Sequence, residues 1–232
     1  MAEGDYIDNW HLFELNTDPA GLAFNAEYEG ILVVDFGLLL VFRYDIDGRF
    51  DGYHELIEEN AAPVGIAAYE GYFWVVDEDT RMVYKYDRDG DYIDSWELTG
   101  DNDMPRGIVT DGTNIWVVDD SHYVFKYDMS GNYIDNWEIA EYILFIRGIA
   151  TDGTNIWVTD IETATVFKYD MSGNYVSEWA LFELNTEPRG IITDGNFIWV
   201  VDEDLFVYKY EGPSIPSAKG AMQTGKYWGE PI

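Results

Sequence analysis

The sequence of 232 residues contains no cysteine, and its positively charged residues are few. The absence of cysteine excludes disulfide bonds, thiolate nucleophiles and cysteine-based zinc sites. Thirteen Lys and Arg residues stand against 45 Asp and Glu residues, which gives a formal net charge of −32. Because such a chain repels phosphates, we expect no nucleic-acid partner.

Long hydrophobic runs are also missing. Residues 37–42 form one of the longest apolar runs and are far too few to cross a bilayer, so we expect no membrane insertion. Residues 1–5 have neither a basic region nor an apolar core, so we expect no signal peptide. Aromatic residues, in contrast, make up 17% of the chain, which excludes an acidic disordered protein and indicates a packed core.

Internal repeats dominate the sequence. Residues 106–119 read RGIVTDGTNIWVVD and residues 147–160 read RGIATDGTNIWVTD, and looser copies begin at Ala20, Val64 and Arg189. One tryptophan per copy recurs at intervals of 42, 41 and 42 residues, at Trp74, Trp116, Trp157 and Trp199. Each copy contains four short runs rich in β-branched and aromatic residues, separated by Gly- and Asn-containing turns. Four strands in about 42 residues are typical of a propeller blade.

The number of blades follows from the two ends of the repeat region. The last copy has three strands, and residues 4–10 match a fourth strand such as residues 131–137. We therefore predict an all-β, five-bladed β-propeller of four-stranded blades, in which the N-terminal strand completes the last blade and closes the ring. The predicted propeller covers residues 1–210, with blades at 19–56, 63–98, 105–139, 146–181 and 188–210 plus 4–14, and an extended C-terminal arm follows at 211–232.

The units resemble NHL-type repeats. Pro105–Asp111, Val117–Asp119 and Val124–Asp128 carry the pattern Pro-x-Gly-Ile-x-x-Asp, Val-x-Asp and Val-x-x-Φ-Asp, where Φ is apolar. The resemblance implies a propeller that binds proteins, RNA or glycans, and a few such relatives are lactonases or lyases. NHL rings usually have six blades, and this sequence predicts five.

Residues that recur in every blade are expected to be architectural. The tryptophans of the second and fourth strands, the latter at positions 10, 96, 137 and 179, are predicted to pack between blades rather than to stack on sugars. One basic residue per third strand is predicted to pair with acids on adjacent strands. These basic residues are Arg43, Lys85, Lys126, Lys168 and Lys209.

Three arginines break the repeat pattern. Arg106, Arg147 and Arg189 precede Gly-Ile in three consecutive copies, where the other two copies have Ala20 and Val64. Because the first strand of a blade lines the central channel, we predict an arc of arginines at one mouth that binds a carboxylate or another anionic group. The alternative is an ion-pair ring with nearby Asp residues.

Catalytic and metal-binding patterns are weak. Residues 87–91 and 45–48 echo the start of a calcium loop but lack its bidentate Glu, and they align with the ordinary hairpin 128–131. His11, His54 and His122 lie in different blades and outside the innermost strands. We therefore expect no enzyme, no metal and no cofactor.

The C-terminal arm carries no net charge. Residues 211–232 contain two acids and two bases, and seven of the 22 positions are Gly or Pro. We expect the arm to bind other protein subunits through Tyr227, Trp228 and Ile232, and the alternative is that it packs back on its own ring.

These patterns favour a structural or adhesive propeller that its arm displays on a large assembly. Six Lys and 26 Asp are typical of proteins from high salt, and display without a signal peptide favours the virion surface of a halophile's virus, or otherwise the cytoplasm. A glycan or another cell-surface group is then the expected ligand. The alternative functions are a soluble glycan-binding propeller and a lactonase- or lyase-like enzyme.

Overall fold

The computed structural model describes residues 2–27, 30–140, 143 and 145–213. These residues form five antiparallel sheets of four strands each, arranged as a ring, so the predicted five-bladed propeller is confirmed. In chain order the strands are β1 (Tyr6–His11), β2 (Pro19–Asn25), β3 (Gly30–Asp35), β4 (Leu40–Asp45), β5 (Phe50–Glu55), β6 (Pro63–Tyr69), β7 (Tyr72–Asp77), β8 (Met82–Asp87), β9 (Tyr92–Glu97), β10 (Pro105–Thr110), β11 (Asn114–Asp119), β12 (Tyr123–Asp128), β13 (Tyr133–Glu138), β14 (Ile146–Thr151), β15 (Asn155–Asp160), β16 (Thr165–Asp170), β17 (Tyr175–Ala180), β18 (Pro188–Thr193), β19 (Phe197–Asp202) and β20 (Phe206–Glu211).

Four blades are continuous in sequence, and the fifth joins the two ends of the chain. The continuous blades are β2 to β5, β6 to β9, β10 to β13 and β14 to β17, numbered 1 to 4, and blade 5 has the order β1-β20-β19-β18. In blade 5, Gly4 N donates to Glu211 O at 2.9 Å, just as Gly48 N donates to Asp45 O at 3.0 Å in blade 1. The N-terminal residues thus complete the hairpin that the other blades form with a continuous chain.

The core lies between neighbouring blades rather than within a single sheet. The second strands are buried on both faces, whereas outer strands such as β13 are largely exposed. Trp74 and Val76 of blade 2, for example, share one buried cluster with Ile115 and Tyr127 of blade 3. This sandwiching explains the continuous apolar run of each second strand, because both of its faces meet a sheet.

Tryptophans of the fourth strands pack on glycines of the next blade. Gly131, with φ of +83°, lies directly against the indole of Trp96, and a Cβ at this position would overlap the ring. The same contact joins Trp10 to Gly48 and Trp137 to Gly173, and in the blade 1 copy His54 takes the place of Trp against Gly90. The predicted packing role of these tryptophans is confirmed.

The first strands meet around the axis through a ring of five glycines, which we call the glycine ring. A Cβ on Gly107 would lie 2.8 Å from Arg147 O, and one on Gly148 would lie 2.8 Å from Ile191 N. Every glycine of the ring meets the backbone of the following blade in this way. The members are Gly21, Gly65, Gly107, Gly148 and Gly190. Only residues without a side chain allow five inner strands to approach this closely.

The basic residues of the third strands have two kinds of partner. Arg43 pairs with Asp51 of the adjacent strand β5 at 3.8 Å, as predicted. Lys168 also pairs with an acid, Glu3 at 2.9 Å, but Glu3 precedes β1 of blade 5 and does not lie on an adjacent strand. The prediction is incomplete for the others, because Lys85 and Lys209 lie over the rings of Trp74 and Trp199, each at 5.2 Å. Lys126 lies over Trp116 at 5.4 Å. The second-strand tryptophan thus provides a cation–π partner that charge counting overlooks.

Buried tyrosines anchor the loops that connect the blades. Asn60 Nδ2 donates to Tyr86 Oη at 3.3 Å, and Asn102 Nδ2 donates to Tyr127 Oη at 3.1 Å. The same pair recurs as Asn16 with Tyr44. Burial raises the pKa of Tyr86 and that of Tyr127 to about 12, against the lowering effect of the Asn hydrogen bonds.

Alkaline pH is therefore expected to destabilise the ring through these tyrosines. Between pH 10, the ordinary tyrosine pKa, and about 12, the unfolded chain loses protons that the folded state keeps. The free energy of unfolding should be unaffected by these groups below pH 10 and should fall as pH rises above it. Urea unfolding at a series of pH values between 9 and 12 measures the slope of the free energy of unfolding against pH. A Tyr86→Phe, Tyr127→Phe variant should show a shallower slope, and an unchanged slope would contradict the assignment.

Part of the predicted arm lies beyond the described residues. Glu211 ends β20, and the description stops at Pro213, so Tyr227, Trp228 and Ile232 lie outside it. Across the described ranges, no helix has the length and apolar character that a bilayer crossing needs.

Candidate functional site

The central channel opens into a cavity at each end. The upper mouth, where the first strand of each blade begins, holds a cavity of about 250 Å³, and the lower mouth holds one of about 190 Å³. At the level of the glycine ring the free space shrinks to about 10 Å³. The channel is therefore narrowest at the glycine ring, between the two cavities.

All three predicted arginines line the upper cavity. Arg106, Arg147 and Arg189 sit at the start of β10, β14 and β18, and each lies within an irregular stretch of pairing between the first and second strands. Such bulges redirect a side chain from the regular alternation of a strand. The structure thus brings together residues that are about 40 positions apart in sequence. Pro19, Ala20, Phe36 and Val64 form the apolar side of the same cavity, with Asp18 and Glu78 at its edge.

A buried aspartate at the end of each second strand holds the loops around this mouth. Asp119 Oδ2 accepts from Met104 N at 2.8 Å, and its Oδ1 accepts from Ser121 N at 2.7 Å. Asp35 and Asp77 accept backbone amides in the same way. These carboxylates of the Val-x-Asp pattern satisfy amides and are not exposed to a ligand, so their role is structural.

Arg106 is fully engaged with acids. Its Nε donates to Asp120 Oδ2 at 2.7 Å, its Nη2 lies 2.6 Å from the same oxygen, and its Nη1 contacts Glu78. Burial lowers the pKa of Arg106, but Asp120 and Glu78 outweigh it and raise the pKa above its ordinary value. At this position the structure contains the ion pairs of the alternative prediction.

Arg147 and Arg189 keep part of their hydrogen-bonding capacity. Arg147 Nη1 donates to Asp120 Oδ1 and to Ile146 O, each at 3.1 Å, and Arg189 Nη2 contacts Glu203. Among the described residues, no acceptor meets Nε or Nη2 of Arg147, or Nε or Nη1 of Arg189. Burial, and then the charges of Arg106 and Arg189, lower the pKa of Arg147 against the opposing effect of Asp120. Arg147 is thus a cation with incomplete compensation.

The other candidate residues do not gather into a site. His54 packs on Phe73 at 5.8 Å between ring centroids, and burial lowers its pKa. His11 lies on β1 and His122 in the loop before β12. The two calcium-like stretches form hairpins, in which Asp45 Oδ1 accepts from Asp47 N at 3.0 Å. No cluster of three or more potential metal ligands occurs within the part of the chain that the structure describes.

The lower cavity has a different chemistry. Its wall is apolar, with side chains such as Leu22, Phe24 and Ile66, and it includes no charged residue among those that line it. The hydroxyls of Thr110 and Thr151 face this region, but each donates to a backbone carbonyl at 2.7 Å and accepts from a glycine amide at 3.0 Å. These hydroxyls are satisfied, and the charged side chains lie at the upper mouth.

Several solved structures are similar to this chain at low sequence identity. The virginiamycin B lyase of Staphylococcus aureus is 17% identical with a TM-score of 0.56, and the match covers 84% of this chain and 66% of the lyase. The glutaminyl cyclase of Myxococcus xanthus is 9% identical with a TM-score of 0.73, covering 89% of this chain and 94% of the cyclase. A chain of a nidogen/laminin complex is 19% identical with a TM-score of 0.62, covering 83% of this chain and 74% of that one. These likenesses show the fold alone.

The neighbours support the resemblance to NHL-type propellers at the level of fold. They include a lyase, a cyclase and a chain from a protein–protein complex, so the fold is compatible with both catalysis and binding. No protein-family model matches the sequence, and no curated protein matches it.

Sequence reasoning missed the acids that accompany the arginines. Glu78, Asp120 and Glu203 each follow the buried aspartate of a second strand, and they reach the same mouth as the arginines. Their position directly after the Val-x-Asp pattern was the available signal, because that pattern ends at the mouth where the first strands begin.

Proposed function

We propose that this protein is a non-enzymatic binding propeller, with NHL-type blades, that recognises an anionic group of a partner at its upper cavity. The observation that carries the proposal is the convergence of three arginines on one cavity. Two of them, Arg147 and Arg189, have N–H groups that the described acids do not use. A guanidinium held on rigid strands presents a planar pair of donors, which suits a carboxylate.

The rigid scaffold supports recognition rather than chemistry. The arginines lie on inner strands that the glycine ring locks together, so their spacing is fixed before a ligand arrives. Preorganised donors reduce the entropy that binding would otherwise cost. No histidine lines the cavity, and two of the acids at this mouth, Glu78 and Asp120, pair with Arg106. A non-catalytic role is therefore the proposal that fits the cavity best.

The proposal also assigns a role to the C-terminal arm. We propose that residues 211–232 attach the ring to other subunits of a larger assembly through Tyr227, Trp228 and Ile232. Support comes from composition, because the arm is neutral whereas the excess of 32 negative charges lies entirely on residues 1–210. The specific form of this proposal is a capsid or tail decoration on the virion of a halophile's virus, where the upper cavity contacts the host surface.

One experiment with two variants separates the two roles. Full-length protein is applied to a glycan array and to an array of peptides with free C-termini, at low salt and in molar KCl, and its mass is followed by sedimentation velocity. An Arg147→Gln, Arg189→Gln variant should lose about tenfold or more in affinity for the array ligand. A Tyr227→Ala, Trp228→Ala, Ile232→Ala variant should keep that ligand and lose association with other subunits.

The matched control is Arg49→Gln, which removes an exposed arginine that pairs with Asp45 and Asp47 far from the cavity. It should change neither property. If no ligand depends on Arg147 and Arg189, the recognition proposal is wrong. Multivalent glycan binding that survives their replacement would instead support the soluble glycan-binding alternative.

A further inference from the structure

The charged residues around the upper mouth alternate in sign. The acids come from one structural position, directly after the buried aspartate of the second strand, and the arginines come from the start of the first strand. Glu78 contacts Arg106, Arg106 contacts Asp120, and Asp120 contacts Arg147. Asp120 thus lies between Arg106 of its own blade and Arg147 of the following blade. The series therefore reads acid, arginine, acid, arginine along blades 2 to 4.

The acid position is apolar in two blades, with Phe36 in blade 1 and Ile161 in blade 4. Of these two positions, only that of blade 4 has an arginine on each side, because blades 1 and 2 have Ala20 and Val64 in place of the arginine. Ile161 N donates to Phe145 O at 3.0 Å, and Asp120 N donates to Met104 O at 3.1 Å, so the two residues are structural equivalents. By the same equivalence, the position of Ile161 lies between Arg147 of its own blade and Arg189 of the next. These are the two arginines whose remaining N–H groups meet no acceptor among the described residues.

We propose that the carboxylate of a ligand completes the series at this position, between Arg147 and Arg189. This inference rests on the proposed function and names its ligand class: a single carboxylate attached to an apolar group, as in the last residue of a peptide. The apolar part would contact Ala20, Phe36 and Val64 across the cavity. A cavity of about 250 Å³ has room for such a residue, since roughly 150 Å³ accommodates a benzene ring.

The surrounding acids set a limit on the charge of the ligand. Asp18 and Glu78 line the cavity, and Asp120 and Glu203 hold its arginines. Four carboxylates near three guanidinium groups would repel a phosphate or a polyanion more strongly than a single carboxylate. Selection for one negative charge is therefore built into the ring.

The test uses defined probes and one internal mimic. Isothermal titration measures the binding of N-acetyl-leucine, of N-acetyl-leucinamide, which lacks the carboxylate, and of acetate, which lacks the apolar group. A peptide ending in leucine with a free C-terminus, and its amidated form, distinguish a peptide end from a small acid. We expect N-acetyl-leucine and the peptide with a free C-terminal leucine to bind. The two amides and acetate should bind at least about tenfold more weakly.

The internal mimic is Ile161→Glu, which places a carboxylate of the chain itself between the two arginines. It should abolish binding of the leucine carboxylates and raise the melting temperature by about 2–4 °C. Ile161→Gln has the same shape without the charge and should leave the melting temperature lower than that of Ile161→Glu. Leucine probe binding that is unchanged in Ile161→Glu would overturn the inference.

The inference can fail without the proposed function failing. If an array ligand depends on Arg147 and Arg189 but neither leucine carboxylate binds, the cavity recognises an anion of another class and this inference is wrong. If nothing depends on these arginines, both are wrong. Equal binding of N-acetyl-leucine and its amide would exclude the carboxylate as the recognised group.

Discussion

Gly148→Ala is expected to lower the free energy of unfolding by about 3 kcal/mol. An alanine Cβ at this position would lie 2.8 Å from Ile191 N and 3.0 Å from the Cα of Gly190. Both contacts are backbone atoms of the next blade, so relief requires the whole ring to widen. Thermal unfolding followed by tryptophan fluorescence should show a decrease in melting temperature of about 6–12 °C.

The control for this prediction is Gly100→Ala. Gly100 lies in the exposed loop between β9 and β10, and nothing lies within 4 Å of a Cβ placed on it. The variant should change the free energy of unfolding by less than about 0.5 kcal/mol. Equal melting temperatures for Gly148→Ala and Gly100→Ala would show that the glycine ring does not limit the approach of the blades.

Glu3→Gln is expected to lower the free energy of unfolding by about 2 kcal/mol. Lys168 is buried, and its Nζ donates to both carboxylate oxygens of Glu3, at 3.0 and 2.9 Å. Glu3 Oε1 also accepts from Trp157 Nε1 at 2.9 Å. Glutamine preserves the shape but leaves the lysine without a countercharge, at the seam where the N-terminal strand closes the ring. Chemical denaturation measures the loss.

Two further variants isolate this ion pair from the overall charge. Glu183→Gln removes one negative charge from an exposed loop residue and should leave the stability within about 0.5 kcal/mol of the parent. In a Lys168→Met background, Glu3→Gln should have little effect, because the countercharge is no longer needed. If Glu3→Gln still lowered the free energy of unfolding by about 2 kcal/mol in that background, the stabilising effect of Glu3 would not come from its pairing with Lys168.

The architecture was predictable because each blade repeats the same pattern of strands and turns in its sequence. The repeat period of about 42 residues and the two ends of the repeat region indicated five blades, and the match of residues 4–10 to a fourth strand predicted the pairing of β1 with β20. The arginines were predictable as a group at one mouth, because the first strand of every blade begins there. Local repetition therefore carries both the fold and the position of the candidate site.

The remaining features depend on differences between copies. Glu3 occupies the hairpin position that Ser130 and Ser172 occupy elsewhere, so its contact with Lys168 has no counterpart in the repeats that defined the pattern. Ile161 is apolar at a position where three other blades have an acid, and this difference is informative only because arginines flank it on both sides. Such features arise from contacts between blades, which spacing along the chain does not specify.

The pairing of β1 with β20 has a consequence for the order of events during synthesis. The partner of the first strand is made about 200 residues later, which at roughly 5–20 residues per second is a delay of about 10–40 s. Until then the ring has an open edge. Lys168 is synthesised before β18, β19 and β20, so the pairing that positions Glu3 beside it has not yet formed. Four blades can stack as they leave the ribosome, but the N-terminal strand and Glu3 find their places only when the last strand has been translated.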